Sequence, residues 1–248
     1  MGSKLLGVAG RNQPEQHAPP VQRLRVRYAK RGRARFTSSR DFGRAFERAL
    51  RRAGVPMAYS SGFSPRARIS YANSVPTGAA SEAEYLEIAL AESCHPEKVR
   101  AALDAALPPG LDILEVVSAS ASALSDVLTA SLWRIDLLGV SDATLERAVG
   151  QFLATSAVPV QRMTKSGVRD FDARGAVVSL SIDGNSLLLV IAHPVPLVRP
   201  DDIVAGLGRL APDFRPTEAP LFTRLRQGTL DLSSGAIEEP AWSAPSRA

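Results

Sequence analysis

Fourteen basic side chains fall between positions 23 and 68, against only Asp41 and Glu47, and thirteen of the fourteen are arginine. A guanidinium donates two parallel hydrogen bonds to a phosphate and lays its flat face on a base; a lysine ammonium is a compact point charge. The chemistry this segment offers is therefore recognition of a polyanion. Its candidate contacts are Arg25, Arg27, Lys30, Arg31, Arg33 and Arg35; Arg40, Arg44, Arg48, Arg51 and Arg52; and Arg66 and Arg68. Tyr59, Gly62 and Phe63 stand among them in a loop of glycine, serine and aromatic residues, a composition suited to ligand binding, and Tyr28, Phe36 and Tyr71 add ring faces on which bases could stack. Outside the segment sixteen basic residues face twenty-three acidic ones, so the formal charge of +5 belongs to one region. The plainer alternative is a solvated surface whose arginines pair with acids elsewhere.

Other chemistry finds less to work with. Cys94 is the only cysteine, so no internal disulfide forms, and the chain cannot by itself hold the three closely spaced thiolates of a radical S-adenosylmethionine cluster. His17, His95 and His193 stand far apart, in no metal-ligand spacing. No cofactor and no metal are expected. An enzyme acting on RNA or nucleotides is the alternative, using Asp41, Glu82 or Glu84 near the arginine loop. A second acid–base group, Lys165, Arg169, Asp170 and Asp172, could line a groove between the two halves, or be a solvated loop with local ion pairs.

These residues need elements to hold them. Leu24, Val26 and Tyr28 alternate with Arg23, Arg25 and Arg27, the period of a half-buried strand whose charged face points outward. Residues 30–32 signal a turn, and residues 34–36 a brief return to strand. Ser38 and Asp41 form a capping box, and Phe42, Ala45, Phe46, Ala49, Leu50 and Ala53 share one helical face, with Gly54 and Pro56 ending the helix. Strand, helix and strand signals follow at 69–72, 85–90, 96–107 and 111–117, the βαββαβ order. A similar series repeats at 132–138, 142–155, 158–164, 177–182, 187–192, 200–210 and 222–230, with Asp183-Gly184-Asn185 as a hairpin turn. The expected fold is α+β: two tandem ferredoxin-like halves, at 23–125 and 126–231, between a flexible arm (1–22) and a flexible tail (232–248). No stretch has the ~18 consecutive apolar residues of a membrane span and no signal peptide is evident, so a cytoplasmic location is expected.

Several motifs carry a family resemblance. They are Lys30-Arg31-Gly32-Arg33-Ala34-Arg35-Phe36, the segment 38–54 with its Asp41 and Arg44, Tyr59-Ser60-Ser61-Gly62-Phe63-Ser64-Pro65-Arg66, Pro76-Thr77-Gly78, and Ser81-Glu82-Ala83-Glu84-Tyr85. Over most of its length the chain resembles the radical-SAM-linked protein family, encoded beside or fused to cobalamin-binding radical SAM proteins. Where that family commonly has Ser-His-x-Asp, this chain has Ser38-Ser39-Arg40-Asp41, and serine lacks a proton affinity near neutral pH comparable to that of histidine. The resemblance implies a partner: a radical SAM protein that does chemistry on an RNA held by this chain. The expected function is thus a non-catalytic RNA-binding adaptor. The alternatives are the enzyme above and a protein-interaction subunit with no RNA role.

Overall fold

The computed structural model describes residues 17–164 and 167–240; most of the expected arm, the end of the expected tail and Lys165 lie outside the described residues. The alternation at 23–28 produces β1 (Gln22–Lys30), flanked by antiparallel β3 (Ala80–Leu90) and β4 (Leu111–Ser118). Leu24, Val26 and Tyr28 pack in one core with Phe42, Phe46 and Leu50 of α1 (Ser39–Arg52) and with Val99 and Leu103 of α2 (Pro96–Ala106). The Tyr28 and Phe42 rings stack 4.4 Å apart, and Phe46 is fully buried. Truncating Phe46 to alanine would cost about 3–5 kcal/mol.

The opposite face of β1 does not carry its charges to water as expected. Arg25 is 1% exposed and Arg27 is half-buried. That face is roofed: Leu124 of a short helix, α3 (Leu124–Val127), and Leu128 pack on Ala83 and Tyr85 of β3, the Ser122 carbonyl reaches Arg25, and Glu239 reaches Arg27. A period of two reports strand geometry but not how many faces are covered, and β1 is covered on both. Residues 34–36 also depart from expectation. They close a 3-10 turn (Gly32–Phe36) that leaves Arg33 and Phe36 exposed.

α1 begins at the expected N-cap, with the Asp41 amide donating to Ser38 Oγ at 3.1 Å; in place of the reciprocal backbone bond of a capping box, the Asp41 carboxylate accepts from the Ser38 hydroxyl at 2.7 Å. Gly54 follows at φ +64°, a left-handed conformation that glycine adopts without a Cβ clash. β2 (Ile69–Ala72) then lies antiparallel on β3.

The second half holds β5 (Ala130–Asp136), α4 (Asp142–Ala154), β6 (Pro159–Thr164), β7 (Gly167–Asp172), β8 (Val177–Asp183), β9 (Ser186–Ala192), α5 (Pro200–Leu210) and β10 (Leu221–Leu230). β10, β5, β9 and β8 pair antiparallel in that order, whereas β6 and β7 form a hairpin sheet of their own. Segment 232–240, expected as tail, includes β11 (Ile237–Glu238) on β10. Gly228 permits the approach, because a Cβ there would stand 1.9 Å from the Glu238 carbonyl oxygen.

The protein is a mixed α+β structure built on one nine-stranded sheet. Its two halves join where β10 pairs parallel with the start of β3, Thr223 opposite Ala80 and Arg224 opposite Ser81. Among the described residues no helix is long and apolar enough to cross a membrane.

Candidate functional site: an arginine helix face and a polar seam

The sixteen residues expected to touch RNA separate into three groups. The first lies on or beside β1. Arg25 is paired with Glu87 at 2.7 Å, Arg27 with Glu239 at 3.1 Å and Glu115 at 3.6 Å, and Arg31 with Glu82 and, at 2.8 Å, Asp112. The hydrogen bonds that Arg31 donates, to Glu82 above all and to Asp112, raise its pKa and hold the guanidinium charged. The register explains the Arg25 pair, since Glu87 stands directly opposite it on β3. The second group is the 3-10 turn. Arg35 donates to the Gly78 carbonyl and lies over the Phe36 ring, while Arg33 has no hydrogen-bond or ion-pair partner among the described residues.

The third group forms a surface. Arg40, Arg44, Arg48 and Arg51 recur at i, i+4, i+8 and i+11 along α1, so they share one face of the helix, and all four are exposed. Arg44 is 3.9 Å from Asp41, a loose pair, and Arg52 donates to the Ala106 carbonyl. Across from the end of α1, a cleft of about 340 Å³ is lined by Arg51, Tyr59, Pro65 and Arg66, with Glu47 at its edge. Arg68 holds this loop by donating to the Tyr59 carbonyl at 3.2 Å. Gly62 has φ +131°, and Phe63 beside it is 82% exposed.

The acidic candidates have mostly structural partners. Asp41 caps α1, Glu82 pairs with Arg31, and Asp172 accepts from the amides of Val158, Arg174 and Gly175. Asp170 is bound by Gln161, and Arg169 is exposed on the β6–β7 hairpin. Among the described residues, none of Arg169, Asp170 and Asp172 lines the cavities where the halves meet, because the hairpin packs beside α5 instead.

What does line that seam is a buried polar cluster that the sequence reading found only in part. Glu84, fully buried, is ion-paired with the equally buried Arg224 of β10 and accepts from the Val75 amide at 3.1 Å. Arg224 also donates to the Asn73 carbonyl (2.7 Å) and Gln227 (3.0 Å) and lies over Trp133, yet its Nε has no partner. Lys30 is 5% exposed, and among the described residues its ammonium has neither a hydrogen bond nor an ion pair. Burial lowers its pKa, and Glu84 pulls it partly back up. Asn73 takes a left-handed φ of 43°, which asparagine tolerates better than most residues.

On the far wall, His193 Nδ1 is 2.7 Å from the Leu128 carbonyl and its Nε2 is 2.7 Å from Ser131 Oγ. A carbonyl only accepts, so Nδ1 carries the proton and Ser131 donates to Nε2. Burial first, and Arg224 as well, lowers the His193 pKa, which keeps the ring neutral. A cavity of about 280 Å³ is lined by Ser131, His193, Asn73, Trp133, Arg199 and Arg224 among others, and one of about 120 Å³ by Lys30, Tyr28 and Glu84. The two share Ser39, Ser74 and Val75. Among the described residues no group of three or more histidine, cysteine or acidic side chains is placed to hold a metal ion.

Fold and sites together define a mixed α+β protein with an arginine-bearing helix on its surface and a charged cluster sealed into its central seam. The chain belongs to the family described as an uncharacterized protein conserved in bacteria (DUF2344), whose model matches residues 23–200. No curated protein matches it. A solved structure described as an unknown protein from Galdieria sulphuraria is similar to 84% of this chain over 98% of its own, at 17% identity and a TM-score of 0.23.

Proposed function

We propose that this protein is a non-catalytic RNA-binding adaptor, and that α1 and the loop at 59–68 form its contact surface. The observation that carries this reading is the row Arg40, Arg44, Arg48 and Arg51, exposed along one helix face and continued by Arg66 across the cleft. Charge on α1 grips a phosphate backbone, and Phe63 and Tyr59 offer rings to its bases. Arg25, Arg27, Lys30 and Arg31 drop out of the contact set, since burial or carboxylate partners already occupy them. The radical SAM enzyme to which the RNA is presented enters through the motif resemblance alone. We further read each half as ferredoxin-like. The order β4-β1-β3-β2 around α1 and α2, and the order β10-β5-β9-β8 around α4 and α5, support that reading, with the β6–β7 hairpin as an insertion in the second half.

Titrating the full chain with single-stranded RNA across a salt series tests the proposal. Five arginine–phosphate contacts give a log–log salt slope of about −3.5, and each of Arg44→Ser and Arg48→Ser reduces its magnitude by about 0.7. Phe63→Ala weakens binding by about 1–3 kcal/mol if the ring stacks on a base. RNA association that is absent at low salt, or indifferent to these substitutions, overturns the reading.

A further inference from the structure

The seam between the halves carries an imbalance of charge that its own residues do not resolve. Lys30, Arg199 and Arg224 line its two cavities; among the described residues the one carboxylate in their linings is Glu84, which is already engaged by Arg224, while Asp202 lies close to Arg199. Lys30 and Arg224 are each at least nine-tenths buried; Lys30 lines the smaller cavity with no hydrogen-bond or ion-pair partner among the described residues, and Arg224 lines the larger one with its Nε fully enclosed and unpartnered. A cation withdrawn from bulk water without a partner is unfavourable, and an anion bound beside it would offset that. A protein needing only a packed seam would place a methionine or leucine at position 30.

The rest of the lining is suited to a small molecule. The 280 Å³ cavity has apolar walls from Trp133, Val75 and Val198, and polar groups at Asn73, Ser131 and His193. Apolar walls with a few convergent polar groups are the usual make-up of a ligand site. Ser39, Ser74 and Val75 line both cavities, which sets the Lys30 cavity directly beside the Trp133 cavity.

We propose that the seam binds a small organic anion, with an oxyanion head, carboxylate or phosphate, held by Lys30 and Arg224 and its apolar body against Trp133. This site is independent of the arginine face of α1, and its ligand bridges residues from both halves.

The test uses the full chain. Thermal unfolding is followed at constant ionic strength with inorganic phosphate, with benzoate, and with chloride as reference, and affinities are measured by calorimetry. Five proteins are compared: the unsubstituted chain, Lys30→Met, Ser39→Phe, which fills the shared wall from an exposed position, and the α1 variants Arg44→Ser and Arg48→Ser. A rise in Tm with phosphate alone assigns a phosphate head, with benzoate alone a carboxylate head, and with both the oxyanion class; each supports the site. Lys30→Met is expected to melt higher than the unsubstituted chain without ligand and to bind at least about tenfold more weakly. Ser39→Phe is expected to weaken binding without raising Tm. Arg44→Ser and Arg48→Ser should leave binding unchanged, which separates this site from the RNA face. The proposal is overturned if neither anion shifts Tm relative to chloride, or if both seam variants respond as the unsubstituted chain does.

Discussion

Lys30 and Arg25 sit in the same strand and look alike in a charge count, yet they do different things. Arg25 has a fixed partner in Glu87, whereas Lys30 is buried with no hydrogen-bond or ion-pair partner among the described residues. Burial lowers the folded-state pKa of Lys30 below the 10.5 of the free side chain. Between those two values the unfolded chain binds the extra proton. Its stabilising share is therefore complete above about 10.5 and is lost as pH falls through the folded value. Lys30→Met should accordingly be more stable than the unsubstituted chain at pH 7, with the gap closing as pH approaches 10.5. Taking the difference between the two proteins in urea cancels the buried tyrosines, whose hydroxyls are also shifted, Tyr71 up to about 12. Glu84→Gln works in the other direction. It strands Arg224 in the seam and should cost about 3–5 kcal/mol, read from the same denaturation midpoints.

Among the elements, α1 is the one whose ends were written most plainly in the chain. Ser38 and Asp41 mark its start, Gly54 its stop, and its apolar residues at helical spacing bury Phe42, Phe46, Ala49 and Leu50. Ser38→Ala should remove the cap and about 1 kcal/mol of stability, measured by chemical denaturation, and loosen the base of the arginine face. The return of the chain at β11 was not legible, because a two-residue strand has no period. It depends on Gly228 and on the turn at Asp231, where the hydroxyls of Ser234 and Ser233 and the Ser233 amide lower the carboxyl pKa to about 2. A depressed carboxylate contributes stability that is present above its unfolded value of 3.8 and lost as pH falls through about 2. The Ser233 amide resonance should therefore titrate with a midpoint near 2 in an NMR pH series. A midpoint near 3.8 would show that the turn is open.

Across the whole molecule the halves share one sheet, one parallel strand pair and the Glu84–Arg224 ion pair. Coupling of this kind predicts that they unfold together. In a Trp242→Phe chain, which leaves Trp133 as the one tryptophan, far-UV circular dichroism and tryptophan fluorescence should give coincident denaturation curves. Two separated transitions would mean that the seam does not couple the halves. Glu84→Gln, which cuts the link between β3 and β10, is the variant most apt to separate them.

The sequence by itself determined the local structure: the strand and helix periods, the cap of α1, the Asp183-Gly184-Asn185 turn, the excess of arginine, and the arginine row along α1, which follows from spacing of three and four residues. Only the tertiary structure decided which charges remain free. Arg25, Arg27 and Arg31 meet acids 62, 88 or 212, and 51 or 81 positions away, and Glu84 meets an arginine 140 residues on. Such pairs are set by strand register and by the roofing of a second sheet face, and neither leaves a periodic trace in the chain. A partner held across a sheet is invisible to any reading that looks only a few residues ahead.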